Sequence, residues 1–140
     1  MKQEEMIRYA ISITANNLEE LLGVSETLSK IILDTADPAT IESISELLLN
    51  AIGLREKIIE VMELAQSIVK NSNELDYELL IDLYTIAGYY AMEGYKTDKN
   101  SIARVSSIID VSRSLDSINK LYTLSMDLYK TLDKILNLEK

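Results

Sequence analysis

The sequence predicts an all-α protein: a four-helix bundle with antiparallel packing, formed by one domain over residues 1–140. Three observations carry this expectation. Proline occurs once and glycine four times in 140 residues, while Leu, Ile, Glu, Lys and Ser dominate. Apolar residues recur at alternating spacings of three and four, the period of a helix face. Short polar clusters interrupt these lanes at three places, and each reads as a turn between helices.

The first helix is expected over Gln3 to Thr35, with Ile7, Ile11, Thr14, Leu18, Leu21, Ser25, Leu28 and Ile32 on one heptad-type face. Asp37 and Pro38 then mark a corner, the aspartate as cap and the proline at the first helical position. The second helix runs from Ala39 to Lys70, through Ile41, Ile44, Leu48, Ala51, Arg55, Ile58, Met62, Ala65 and Val69. A second lane at Leu47, Leu54, Val61 and Ile68 widens its apolar face. That width suits a bundle better than a two-stranded coiled coil.

After the NSN turn at 71–73, the third helix is expected from Glu74 to Glu93, with Leu79, Leu83, Ala87 and Tyr90 inward and Tyr89 outward. Gly94 reads as its C-cap, KTDKN as a polar turn and Ser101 as the cap of the fourth helix, which continues to Leu138. These boundaries give a short third helix and a long fourth one. At about 1.5 Å per residue they span roughly 30 Å and 55 Å, against roughly 45–50 Å for the first two. The end of the fourth helix would then project with its apolar lane uncovered. Such a lane implies a partner, so a homo-oligomer is expected. The candidate interface residues are Tyr89, Tyr95, Leu121, Tyr122, Leu128, Tyr129, Leu132 and Ile135.

Composition excludes several kinds of chemistry. The chain has no Cys and no His, which removes disulfides, thiolate and imidazole metal sites, His-based triads and Glu-x-x-His di-iron centres. No stretch is long and apolar enough for a membrane span, and the first residues lack a signal-peptide core, so a cytoplasmic protein is expected. The net charge is −9, and residues 71–93 hold Glu74, Asp76, Glu78, Asp82 and Glu93 with no Lys or Arg. The bases after residue 94 are interleaved with acids, which argues against direct nucleic-acid binding. No phosphate-binding glycine loop, calcium loop or nucleophile elbow is present.

Two sets of residues stand out. Arg55 lies in the main apolar lane of the second helix, where it is expected either to pair with a facing acid in a buried ion pair or to keep its charged head in water. Helix-borne carboxylates at Glu19, Glu56, Glu60, Glu78 and Asp82 form a candidate cluster that could hold Mg²⁺ if brought together, because magnesium needs only oxygen ligands. The expected function is that of a small non-enzymatic protein acting through protein–protein contacts, as an adaptor, regulator or structural element, without cofactor or structural metal. The alternatives are a Mg²⁺-dependent nucleotide hydrolase using those carboxylates and an accessory subunit of a nucleoprotein complex.

Overall fold

The computed structural model describes residues 2–34, 37–72 and 74–137, which contain helices and turns and no strand. The elements are α1 (Lys2–Lys30), α2 (Pro38–Asn71), α3 (Tyr77–Tyr89), a π-helical turn (Tyr90–Gly94), α4 (Tyr95–Val105) and α5 (Ser112–Leu136). The backbone never leaves the right-handed helical region between α3 and α4, with φ of −65° at Tyr90, −61° at Gly94 and −57° at Tyr95. They therefore form one rod from Tyr77 to Val105, and the described residues form four rods.

This corrects the expected lengths. The third rod is not short, and the fourth is not long: α5 begins at Ser112 and, at 25 residues, is shorter than the 29-residue α1. Gly94 is not a C-cap, since it lacks the left-handed backbone that such a cap needs. KTDKN is helical, with Lys96, Thr97, Lys99 and Asn100 on a solvent face and Asp98 turned inward beside Ser101, Ile102 and Val105. A polar helix face had the composition of a loop.

The actual break falls at 106–111, in a segment without Gly or Pro. Ser106 Oγ donates to the Ala103 carbonyl at 2.7 Å, and the Ile108 and Ile109 amides both fold back onto the Val105 carbonyl. Asp110 Oδ1 then accepts from the amide and hydroxyl of Ser112 at 3.0 and 2.6 Å. Those two bonds hold its carboxyl below the usual range and set the entry to α5. Asp37 caps α2 through the Thr40 amide, with Pro38 at the first helical position. The expected end of helix one at Thr35, Asn73 of the NSN turn and the expected end of helix four at Leu138 lie outside the described residues; α1 itself stops at Lys30.

Apolar residues from every rod join one core cluster, from Ile7 and Leu21 of α1 to Leu128 and Leu132 of α5. The packed pairs are α1 with α2, α2 with α5, α5 with α3, and α1 with the third rod. Hydrogen bonds fix their directions. Arg55 meets Ser117, Met62 meets Ser125, and Gln66 meets Asp127, so α2 and α5 run parallel. Glu4 accepts from the Asp76 amide, and Arg104 donates to the Leu28 and Ile31 carbonyls, so α1 and the third rod also run parallel. Tyr84 against Tyr129 and Tyr95 against Tyr122 make α5 antiparallel to the third rod. Packing is thus not antiparallel throughout: α3 packs on α1 and α5 rather than flanking α2.

Two glycines have a steric task. A Cβ on Gly88 would stand 2.7 Å from Cε1 of Tyr129, and one on Gly94 would stand 2.9 Å from Cδ1 of Tyr90. Each glycine makes room for a tyrosine ring. Around Gly23 and Gly53, by contrast, nothing lies within 4 Å of an added Cβ. Gly88→Ala is expected to cost about 1–3 kcal/mol through overpacking. Gly23→Ala and Gly53→Ala should each stabilise by about 0.5–1 kcal/mol through helix propensity. Chemical denaturation of the three variants checks the opposite signs, and a neutral Gly88→Ala would refute the close packing on Tyr129.

Candidate functional site

A polar network is buried within the apolar core. Arg55 is fully buried, and the acid that faces it is Asp98 on α4. The guanidinium engages the carboxylate through two bonds, Nε to Oδ2 at 2.8 Å and Nη2 to Oδ1 at 2.7 Å. Its Nη1 donates to Ser117 Oγ on α5 at 3.0 Å, and that hydroxyl donates onward to the Ser114 carbonyl. Tyr90, also fully buried, donates to Asp98 Oδ2 at 2.8 Å. Burial raises the Tyr90 phenol far above its ordinary value, and the adjacent Asp98 charge adds to the shift. The wide π turn and Gly94 let the Tyr90 ring lie along the rod toward Asp98, eight residues further on.

A second polar cluster joins α3 to α5. The Tyr84 and Tyr129 rings stack with centroids 4.6 Å apart, and their hydroxyls are 2.9 Å apart. The Tyr84 hydroxyl also donates to Asp133 Oδ1 at 3.1 Å. The bond to Tyr129, then burial and Asp133, raise the Tyr84 phenol. Tyr95 lies against Tyr122 with centroids 4.1 Å apart, and the Lys99 ammonium sits 5.4 Å from the Tyr95 ring centre.

The candidate interface residues therefore divide. Leu121, Leu128 and Leu132 are fully buried within the chain, and Tyr95, Tyr122 and Tyr129 are half-buried against the core. Tyr89 and Ile135 stay exposed. Among the described residues, the lane that implied a second subunit is thus covered within the chain at Leu121, Leu128 and Leu132 and left open at Ile135.

The carboxylates divide too. Glu56 and Glu60 line one cleft between α2 and α5, whereas Glu19 lies on α1 and Glu78 and Asp82 on α3. Among the described residues, no group of three or more acids could hold a metal ion. No described helix is long and apolar enough to cross a membrane.

What does lie open is a groove between the parallel helices α2 and α5. Its middle section, about 430 Å³, is lined by Ile52, Ile59, Ser117 and charged residues of both helices. A section of about 210 Å³ continues it through shared walls at Ile52 and Arg113, and one of about 550 Å³ through shared walls at Glu63 and Lys120. Ser117 lines the middle section and Ser114 the 210 Å³ section. The groove walls carry unspent charge: Arg113, Lys120, Glu56, Glu63 and Asp116 make no salt bridge among the described residues. Sequence reasoning missed the groove, because the placement of α2 beside α5 is not encoded in either lane alone. Comparison of the chain with protein-family models, with curated proteins and with solved structures finds no match.

Breaking the central pair from one side should be severe. Arg55→Ala or Asp98→Ala is expected to cost about 3–5 kcal/mol, because a buried charge is left alone. Replacing Arg55 by Met, Asp98 by Leu and Tyr90 by Phe together should recover most of that loss, since no buried polar group is then orphaned. Urea denaturation of the singles and the triple checks this, and additive losses would refute it. The raised phenols give a second expectation. Tyr84 and Tyr90 should stay protonated in the folded chain above pH 10, where unfolded tyrosines ionise, so their contribution to stability is complete below about pH 10 and declines above it. Absorbance titration near 295 nm should show these two tyrosines ionising only on unfolding.

Proposed function

We propose that the chain is a four-helix bundle that acts without enzymatic chemistry, through protein–protein contacts in an adaptor, regulatory or structural role, and that the groove between α2 and α5 is its working surface. The observation that carries this reading is the groove itself: a long channel with Leu49 more than half exposed on its flank and unpaired charges of both signs on its walls. Exposed apolar area rimmed by polar residues marks a recognition surface. A cytoplasmic setting belongs to the same reading.

The hydrolase alternative has no comparable support, since its five carboxylates do not share a cleft. The nucleoprotein alternative asks for a cationic stripe along α5, yet Arg113, Lys120, Lys130 and Lys134 alternate with Asp116, Asp127 and Asp133.

The test is affinity capture with three baits: the wild type, Leu49→Asp in the groove, and Met92→Asp on the exposed face of the third rod. A partner retained by the wild type and Met92→Asp but reduced about tenfold by Leu49→Asp is expected. Equal retention by Leu49→Asp would remove the groove as the working surface. Mg²⁺-dependent hydrolysis of a nucleoside triphosphate by the purified chain would overturn the non-enzymatic reading.

A further inference from the structure

The groove has a length, a floor and a charge, and these three describe its occupant. Resting on the protein-contact reading above, we infer that it docks a basic amphipathic α-helix of a partner protein. From Ser45 to Glu63 on α2, and from Asp110 in the preceding turn to Asp127 on α5, the walls run alongside each other for about 27 Å, which is the length of a helix of about 18 residues. Leu48, Leu49, Ile52, Ile59 and Leu124 make the floor and flank apolar along this run. A helix whose apolar residues recur at three and four would set its stripe on that floor.

Charge then selects among helices. Glu56, Glu60 and Glu63 stand on the α2 wall, with Asp110, Asp116 and Asp127 on the α5 wall, against Arg113 and Lys120. Asp127 is partly spent on Gln66 and Lys70, and Glu60 has only Lys57 at 3.9 Å. The three glutamates are spaced four and three apart, so they repel one another along one helix side. A lysine- or arginine-rich edge laid beside them relieves that repulsion and steers the encounter. A second copy of this chain brings the same acidic walls and a further −9 of charge, so it is the poorer fit. Phosphate backbones and anionic lipid surfaces are repelled for the same reason.

The probe is a synthetic helical peptide of about 18 residues, with Leu on one face at spacings of three and four and Lys on the other, compared with a scrambled peptide of identical composition. Fluorescence anisotropy measures binding, and amide hydrogen exchange maps it. The patterned peptide should bind saturably and protect amides within 45–63 and 110–127. Scrambling should weaken binding about tenfold, and so should Glu56→Gln, Glu60→Gln and Glu63→Gln combined, with the unliganded variant at least as stable as the wild type. Equal binding of both peptides, protection elsewhere, or indifference to the triple variant would overturn the inference. So would a concentration-dependent dimer in light scattering that Leu49→Asp disperses, because the occupant would then be a second copy. If the patterned peptide fails while Leu49→Asp still abolishes partner capture, this inference falls and the protein-contact reading stands. If capture survives Leu49→Asp, this inference and the groove as working surface both fall.

Discussion

The buried contact between Arg55 and Asp98 is the constraint on which the arrangement depends. A guanidinium and a carboxylate removed from water each lose several kcal/mol of hydration, and only a well-formed pair with further hydrogen bonds recovers it. Here the further bonds come from Tyr90 and Ser117, so three rods must place four side chains together before the interior can close. Leucine lanes alone tolerate sliding by a turn, because one Leu replaces another at the same depth. A charge pair does not, since a one-turn slip leaves both ions without partners. The pair therefore adds register where apolar packing supplies mainly cohesion. It fixes how far along α2 the Asp98 turn sits and which face of α5 looks inward.

Much of the architecture was legible because it is periodic. Ile7, Leu21 and Leu28, and likewise Ile44, Ile58 and Met62, occupy the core that their spacings imply. The boundary between the third and fourth rods was not legible, and the cause is specific. Glycine, lysine, threonine, aspartate and asparagine in a row have loop composition, but their helical phase exposes the lysines and buries Asp98. An aspartate reads as solvent-facing unless its partner is known, and the partner is 43 residues away on another helix. Conversely, the lane through Val105, Ile108, Val111 and Leu115 keeps helical spacing across a real turn, because Ile108 and Ile109 remain half-buried there. Arg55 was visible as a misplaced charge; Asp98 was hidden inside what looked like a linker.

The same relocation changes which surface needs a partner. With a short third rod, the apolar end of the last helix would stand uncovered. With the rod extended to Val105, Tyr84, Gly88 and Tyr95 meet Tyr129 and Tyr122, and the leucines between them are enclosed. Two of the three tyrosines and both glycines of residues 88–95 thus serve interior fit: Gly88 admits Tyr129, Gly94 admits Tyr90, and Tyr95 lies on Tyr122. Only Tyr89 is left to solvent.

Unsatisfied surface reappears between α2 and α5, and its position follows from the central pair. Ser117 bonds Arg55 on its inner side and lines the groove on its outer side. A larger residue there would fill the channel but would have to displace the guanidinium contact. A serine keeps α5 close enough to complete the Arg55 network and small enough to leave the channel open above it. The groove floor thus lies beside the buried Arg55 network, while the glutamates and the lysine of its walls are exposed. An apolar floor with exposed charged walls suits an amphipathic helix, whose apolar face demands fit and whose charged edges demand only proximity.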